Sequence, residues 1–473
     1  MKLCISIAPH SMAEAIQKLR AAGARSDLVE VHIDGMNDID FGRLLRKPRP
    51  HVIITNRRTS EGGCFAGSRE EQRNILSQAM SYSADYVDVE MSWGDRFIEA
   101  FLARKSRTRV IVSHHNFQKT PLNLGVLYEK MRGTGAHIIK IATMAEDIGD
   151  NRRIFDLVSR ARKDHQKVIA FCMGERGQIS RILSSKVGGF LTYASLTSEE
   201  VTAPGQLSVD DLTKVFRVDS INARTKVFGL VGNPVSQSRG FFFHNAVFRR
   251  ENVNAVYLNF LIDDLPNFLA AFRHELRGFS VTMPFKENIV PLLDSLSEEA
   301  VKLKAVNTVL IRKGMLHGLN TDLPAIVTLL KRKRKLGGKR VVVLGTGGTS
   351  KTMAVAAISN GCETIVVGRS PEKAEKLARE LGCSWTSFEK LGAAEADIIM
   401  NGTPVGMHPE SDPVLVPKRI LKKGMIVLDA VYQSRKTRFV VDAEAAGCEI
   451  ITGIELFRKQ ALLQSRLFLQ NLS

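Results

Sequence analysis

The sequence predicts an α/β protein in two parts: an N-terminal (β/α)8 TIM barrel, then a two-domain α/β region that includes a Rossmann nucleotide-binding sheet. Three observations carry this. Eight short β-branched runs alternate with helical patterns over about the first 200 residues. A second strand–helix series begins at Lys226. Within it, Arg340-Val341-Val342-Val343-Leu344 runs into Gly345-Thr346-Gly347-Gly348-Thr349-Ser350 and then a helical stretch. Strand, glycine turn and helix in that order are what a dinucleotide pyrophosphate requires.

The eight runs are Lys2–Ala8, Leu28–Asp34, His51–Arg57, Tyr86–Met91, Arg109–His114, His137–Thr143, Lys167–Met173 and Val187–Ala194. Amphipathic segments separate them, most clearly Met12–Ala22, Arg69–Tyr82 and Ile154–His165. Asp210–Phe216 reads as the helix that closes the barrel. At 473 residues the chain exceeds one ordinary domain, and 44% apolar residues suffice for more than one core. No apolar run reaches the roughly eighteen residues of a membrane span. The first residues read as a strand, not a signal peptide. The six cysteines (4, 64, 172, 362, 383 and 448) show no CxxC spacing, so neither a metal site nor a disulfide framework is indicated. A soluble protein of a reducing cytoplasm is expected.

Ionisable residues gather at the carboxyl ends of the barrel strands, where this fold keeps its active site. Strand two carries Glu30 and His32; strand three ends in Arg57, with Glu61 beyond; strand four carries Asp88 and Glu90. Strand five ends in His114-His115, and strand six holds Lys140 between Ile139 and Ile141. Alternation puts Glu30 with His32, and Asp88 with Glu90, on one face. Any one of these alone reads as a solvated charge; five strands in register do not. A lysine flanked by isoleucines is expected to be desolvated, which favours the free amine and Schiff-base formation with a carbonyl. A nearby histidine can move protons at neutral pH.

These residues resemble type I 3-dehydroquinate dehydratase across the whole barrel. The matching pieces are Leu28-Val29-Glu30-Val31-His32, Arg57 with Glu61-Gly62-Gly63, Asp88-Val89-Glu90, His115-Asn116-Phe117, Lys140, Met173-Gly174, Ser180-Arg181 and Ala203-Pro204-Gly205-Gln206. The resemblance implies Lys140 as the Schiff-base lysine, His115 as general acid/base and Glu90 as the group that orients it. It implies that Arg181 holds the substrate carboxylate, with Glu30, His32, Arg57, Thr202 and Gln206 around the substrate. His32 stands where the family has arginine, so a permanent charge is expected to be missing. Thr202 replaces a serine and keeps the hydroxyl.

The second region resembles shikimate dehydrogenase from about residue 225 onward. The carriers are Gly232-Asn233-Pro234, Ser280-Val281-Thr282-Met283-Pro284-Phe285-Lys286, Asn307, Asn320-Thr321-Asp322, the glycine turn, Asn401-Gly402-Thr403-Pro404, Asp429 with Tyr432, and Gly453 with Gln460. The resemblance implies Lys286 and Asp322 as the catalytic pair. Ser236, Ser238, Thr282, Asn307, Tyr432 and Gln460 would bind substrate. Gly345, Gly347, Gly348, Thr349, Ser350, Asn401 and Gly453 would hold the cofactor. Arg369, with Ser370 and Lys373, follows the second nucleotide-domain strand where an acidic residue would select NAD, so NADP(H) is expected. Gly240 and Phe241 occupy the places of a second serine and a proline, which implies a weaker hold on the substrate carboxylate.

The expected division is 1–218 for the barrel, 225–321 plus 454–473 for the substrate domain and 322–453 for the nucleotide domain. The expected reactions are dehydration of 3-dehydroquinate to 3-dehydroshikimate, then reduction to shikimate. One half inactive, or turned to quinate, is the same-class alternative. The net charge of +18 includes Lys331-Arg332-Lys333-Arg334-Lys335. That run reads as a solvated helix end, with a nucleic-acid surface as its rival; no nucleic-acid partner, membrane or metal is expected. Oligomeric state is not legible.

Overall fold

The computed structural model describes all residues except 1, 105, 392–394, 408–413, 433–435 and 473. By its internal contacts the chain divides into two compact units, Met1–Leu276 and Arg277–Ser473.

The first unit contains the barrel. Its strands are β1 (Lys2–Ile7), β2 (Leu28–His32), β3 (His51–Thr55), β4 (Tyr86–Glu90), β5 (Arg109–Asn116), β6 (Ile138–Met144), β7 (Val168–Met173) and β8 (Leu191–Ser195). They pair in parallel, in the order β7-β6-β5-β4-β3-β2-β1-β8. The Phe190 amide donates to the Val168 carbonyl at 2.9 Å and so links the two ends of that order. The strands are buried on both faces, which is why they read as apolar runs. Inward positions near their starts form an apolar floor that includes Cys4, Leu28, Ile53, Tyr86, Ile111, Ile138 and Ile169. Two residues further along six of these strands stand Ser6, Glu30, Thr55, Asp88, Ser113 and Lys140, all buried and polar. The alternation that makes a strand thus carries the interior from oil to ions in one step.

Helices cover the outside. Ser68 and Glu71 form a capping box that starts Arg69–Ser81. The expected strand Val187–Ala194 is shorter than the sequence suggests. Ser184–Val187 is a helical turn that Gly188 ends at φ 99°, and the strand starts at Leu191. Asp210–Phe216 is one wide turn, Asp211–Val215, in which the Phe216 amide donates to the Asp211 carbonyl. The same unit holds the parallel pair β9 (Lys226–Gly232) and β10 (Ala255–Leu261), with the helices Gly240–Arg250 and Leu265–Phe272.

The second unit opens with β11 (Leu276–Val281), β12 (Ser295–Leu296), β13 (Thr308–Arg312) and β14 (Met315–Leu319). β13 runs antiparallel to β11 and β14; its hairpin turns through Lys313 and Gly314, both at positive φ. Then come β15 (Arg340–Leu344), β16 (Glu363–Gly368), β17 (Ser384–Ser387), β18 (Ile398–Asn401), β19 (Ile426–Asp429) and β20 (Glu449–Ile451). They form a parallel sheet in the order β17-β16-β15-β18-β19-β20, whose direction of growth reverses between β15 and β18. Ligands of such sheets bind at that reversal. The last helix, Gly453–Gln470, begins at a Thr452–Glu455 capping box. Its Gln464 bonds Ser280 of β11, the Asn307 carbonyl and Thr308 of β13. Part of the basic run is structural: Lys333 and Arg334 pair with Glu449 of β20. Among the described residues, no helix is long and apolar enough to cross a membrane.

Candidate active sites

Lys140 lies mid-way along β6 and is buried. Its Nζ is 2.9 Å from Glu30 Oε1 and 3.1 Å from Asp88 Oδ2, and 4.6 Å from the centre of the Tyr193 ring. Thr55 and Ser113 donate to these two carboxylates at 2.8 and 2.5 Å. Arg57 joins the cluster, with Nη2 3.0 Å from Asp88 and Nη1 2.9 Å from His115 Nδ1. Burial opposes the charge on Glu30, but Lys140, His32 and Arg57 outweigh it and hold its pKa well below the ordinary carboxylate value. Burial likewise opposes the charge on Asp88, and Arg57 and Lys140 overcome it.

His115 is held neutral. Burial comes first, then the charges on Arg57 and Lys140, and together they put its pKa well below that of a free imidazole. Its Nδ1 also lies 3.4 Å from Glu61 Oε2. Burial pushes the Glu61 carboxyl up to about 7.

Arg181 is the largest of the fully buried side chains. It lies 4.1 Å above the Phe171 ring, and its Nε and Nη1 have no hydrogen-bond partner among the described residues. Nη2 reaches the Pro204 carbonyl at 3.4 Å. Burial pulls its pKa down to about 10. A buried guanidinium with two idle donors is an anion site in waiting. The Thr202–Gln206 segment packs beside it. Thr202 meets Ser6 at 2.8 Å, and its amide donates to Gln206 Oε1 at 2.7 Å. Gly205 (φ 71°) passes so close to Gly174 that a Cβ would stand 2.3 Å from the Gly174 carbonyl.

In the second unit, Lys286 Nζ is 2.7 Å from Asp322 Oδ2, with both side chains half-buried. Lys286 follows β11, and Asp322 begins the helix Asp322–Lys333. Asn307 stands between these segments. Its side chain donates to Thr321 Oγ1 at 3.0 Å and accepts from the Thr321 amide at 2.9 Å. The Lys286 carbonyl accepts from the Val306 amide at 2.8 Å. Thr282 and Gln460 are half-buried, and Tyr432 stacks on Phe457. In the first unit, Ser236 is exposed, and Ser238 accepts from the Gly240 amide at 3.2 Å. A Cβ on Gly240 would meet only ordinary contacts.

After β15, Gly345 takes φ 105°, and a Cβ there would stand 2.6 Å from Ser350 Oγ. Gly347 and Gly348 begin the helix Gly348–Ile358, and a Cβ on either would meet open space. Thr349 is exposed beside them. Bare backbone amides at a helix start suit a pyrophosphate. Arg369 and Lys373 are exposed at the end of β16 and in the helix that follows. The cradle and its two cations fit a dinucleotide that carries an extra phosphate.

Three family models match the chain: type I 3-dehydroquinase over residues 3–223, the shikimate dehydrogenase substrate-binding domain over 230–309, and shikimate/quinate 5-dehydrogenase over 328–442. The chain is 36% identical to a chloroplastic bifunctional 3-dehydroquinate dehydratase/shikimate dehydrogenase of Arabidopsis thaliana, over 97% of this chain and 81% of that protein. The chain belongs to this bifunctional dehydratase/dehydrogenase family. Its dehydrogenase half is 38% identical to an NADP(+) shikimate dehydrogenase of Pyrococcus abyssi, over 48% of this chain and 86% of that one. A shikimate dehydrogenase structure from Aquifex aeolicus superposes with a TM-score of 0.50 at 32% identity, covering 52% of this chain and 94% of that chain.

Within the dehydratase half, three expectations change. Glu61, not Glu90, is the carboxylate at His115. Glu90 Oε1 instead accepts from the Arg58 amide at 2.9 Å, because the loop after β3 folds back over it. Lys140 is compensated by two carboxylates, not left alone among apolar groups. His32 does not cost the half a charge. It sits 3.3 Å from Glu30 and 3.5 Å from Asp34; burial opposes its protonation, yet the two carboxylates lift its pKa to about 9. Asp88 and Tyr193 join the site without an assigned role; strand alternation placed Asp88 inward, whereas nothing in the sequence marked Tyr193.

The dehydrogenase half also differs in detail. The Ser350 hydroxyl is buried and donates to the Leu344 carbonyl at 3.1 Å, so it braces the turn. Ser370 caps its helix, accepting from the Lys373 amide. Asn401 is fully buried; it donates to Asp429 at 2.9 Å and accepts from Thr403 at 2.7 Å. Gly453 allows a close approach, since a Cβ there would lie 2.3 Å from the Val431 carbonyl. Glutamine 464, one turn beyond Gln460, makes the hydrogen bonds to the sheet.

Proposed function

We propose that this chain carries out two consecutive steps, dehydration of 3-dehydroquinate to 3-dehydroshikimate and NADPH-dependent reduction of that product to shikimate. The carrying observation is Lys140, ringed by Glu30 and Asp88 beside a neutral His115 and an unsatisfied Arg181. The barrel (1–218) performs the first step. Residues 225–321 with 454–473 bind the second substrate, and 322–453 bind the nucleotide.

In the barrel, Arg181 takes the substrate carboxylate through its two idle N–H groups. The Lys140 amine adds to the ketone; water leaves and an iminium forms, with Glu30 and Asp88 nearest to take the ammonium proton. His115 removes the proton next to the iminium to give the enamine, then returns it to the departing hydroxyl. Its Nδ1 faces two partners with opposite demands. With a proton on Nδ1 it donates to Glu61 and leaves Nε2 as a base; without one it accepts from Arg57 and carries the proton on Nε2. Hydrolysis of the iminium restores Lys140.

In the dehydrogenase half, Gly345, Gly347, Gly348 and Thr349 would hold the pyrophosphate, and Arg369 and Lys373 the 2′-phosphate. When bound, NADPH supplies the hydride. Lys286 gives a proton to the oxygen that becomes the alcohol, and Asp322 orients Lys286. Thr282, Asn307 and Gln460 bind the substrate. The six free thiols suit a reducing compartment such as the cytoplasm.

The test is one pot of 3-dehydroquinate and NADPH, with shikimate and NADP+ followed together. Equal yields support both steps. Dehydroshikimate that accumulates without NADPH consumption refutes the second, and equal efficiency with NADH refutes the cofactor assignment.

Arg181→Met provides a second check. The KM for 3-dehydroquinate is expected to rise about a hundredfold, since a paired charge is lost. The Tm of the ligand-free protein is expected to rise, because a buried unpaired cation is removed. A fall in both affinity and Tm would make Arg181 a structural residue.

A further inference from the structure

His32 lies between two parts of the barrel site. Its Nε2 faces Glu30 Oε2 at 3.3 Å, and Glu30 is the partner of Lys140. Its Nδ1 faces Asp34 Oδ1 at 3.5 Å, an oxygen with no other partner among the described residues. The other oxygen, Asp34 Oδ2, accepts from the Cys64 amide at 2.8 Å. Cys64 belongs to the loop after β3, which Phe65 closes by bonding the Arg57 carbonyl at 3.0 Å and the Thr59 amide at 3.2 Å. That loop presents Glu61 to His115.

We infer that His32 is a positioning residue that works as a proton-dependent latch: its imidazolium holds Glu30 toward Lys140 and Asp34 toward the loop that carries Glu61. The inference rests on the dehydratase reading of the barrel. The groups around the latch are few. Glu30 and Asp34 flank the ring directly. From β3 and β6, Arg57 and Lys140 act on Glu30 from its other side. From β1 and the segment before Gln206, Ser6 and Thr202 are neutral. The ring is half-buried and sits between two anions, so loss of its proton removes the cation that faces Asp34 and leaves Glu30 with fewer. The folded-state pKa of about 9 exceeds the ordinary imidazole value. The sign follows: the latch is closed through neutral pH, its stabilisation is complete below about 6.5, and it is lost as pH rises through about 9.

The test compares kcat/KM for dehydration between pH 6 and 10 in the wild type, His32→Arg and His32→Gln. The wild type is expected to lose about tenfold per pH unit above about 9, as one proton leaves. His32→Arg, charged throughout, is expected to move that limb up by at least about one pH unit. His32→Gln is expected to lie about tenfold low even at pH 7. A limb shared by wild type and His32→Arg overturns the latch. Nitrogen-15 NMR of the imidazoles, with the His32 signal identified by its loss in His32→Gln, reads the latch without turnover: titration near 6.5 overturns it, titration near 9 supports it. Absence of dehydration at every pH, with His32 titrating near 9, overturns the dehydratase reading instead.

Discussion

Replacing Lys140 by alanine is expected to lower dehydration of 3-dehydroquinate by about 10⁴-fold or more, while NADPH-dependent reduction of 3-dehydroshikimate continues. Among the described residues no other amine stands on the inner face of the site; Arg57 and Arg181 are guanidiniums and cannot form the iminium. Treatment of the wild type with borohydride and 3-dehydroquinate should fix the carbon skeleton to Lys140, as read by peptide mass. A folded, dehydrating enzyme that yields no adduct, or yields one on another lysine, would end the Schiff-base reading. The same substitution has a structural cost. Glu30 and Asp88 are almost wholly buried, and Lys140 is a partner of both. Removing the cation should destabilise the barrel by about 3–5 kcal/mol, which thermal unfolding of the variant measures. Retained reduction separates lost chemistry from a misfolded chain.

Lys286→Ala is expected to lower kcat for reduction of 3-dehydroshikimate by about 10²–10⁴-fold, with little change in NADPH affinity. Lys286 and Asp322 are 2.7 Å apart, and both are reached by solvent. On the proposed reading the pair places a proton and does not hold the fold, and Asp322→Asn should cost less than loss of the lysine itself. Nicotinamide fluorescence gives the NADPH affinity and stopped-flow absorbance the rate. A raised KM with unchanged kcat would reassign Lys286 to substrate binding. The nucleotide site proposed above draws on other segments, from Gly345 to Lys373, so the two measurements should separate.

The inner faces of the barrel strands were legible because side-chain direction is a local property. A strand alternates, so Glu30 and His32, or Asp88 and Glu90, must share a face once either faces in. The glycine turn was legible for the same kind of reason. Gly345 needs positive φ, and Gly347 and Gly348 leave room for a ligand, and each demand concerns only a few bonds. The free hydroxyls were not legible. Ser350 and Ser370 look like phosphate ligands in sequence, but a short side chain next to its own helix start bonds the backbone first.

By itself the sequence determined the (β/α)8 alternation, the Rossmann turn and which residue types line each mouth. Only the tertiary structure decided the partners. Glu61 and Glu90 are both acidic residues near His115 in strand order; the fold of the loop from Arg57 to Phe65 brings one to the imidazole and turns the other to a backbone amide. His32 read as a lost charge, and two carboxylates from either side of it restored the charge. For the glutamates the reason is distance along the chain; for His32, whose carboxylates stand two residues away on either side, it is the low dielectric that the surrounding strands impose. Direction along a strand follows from covalent geometry, whereas distance and dielectric between side chains depend on elements far apart in the chain.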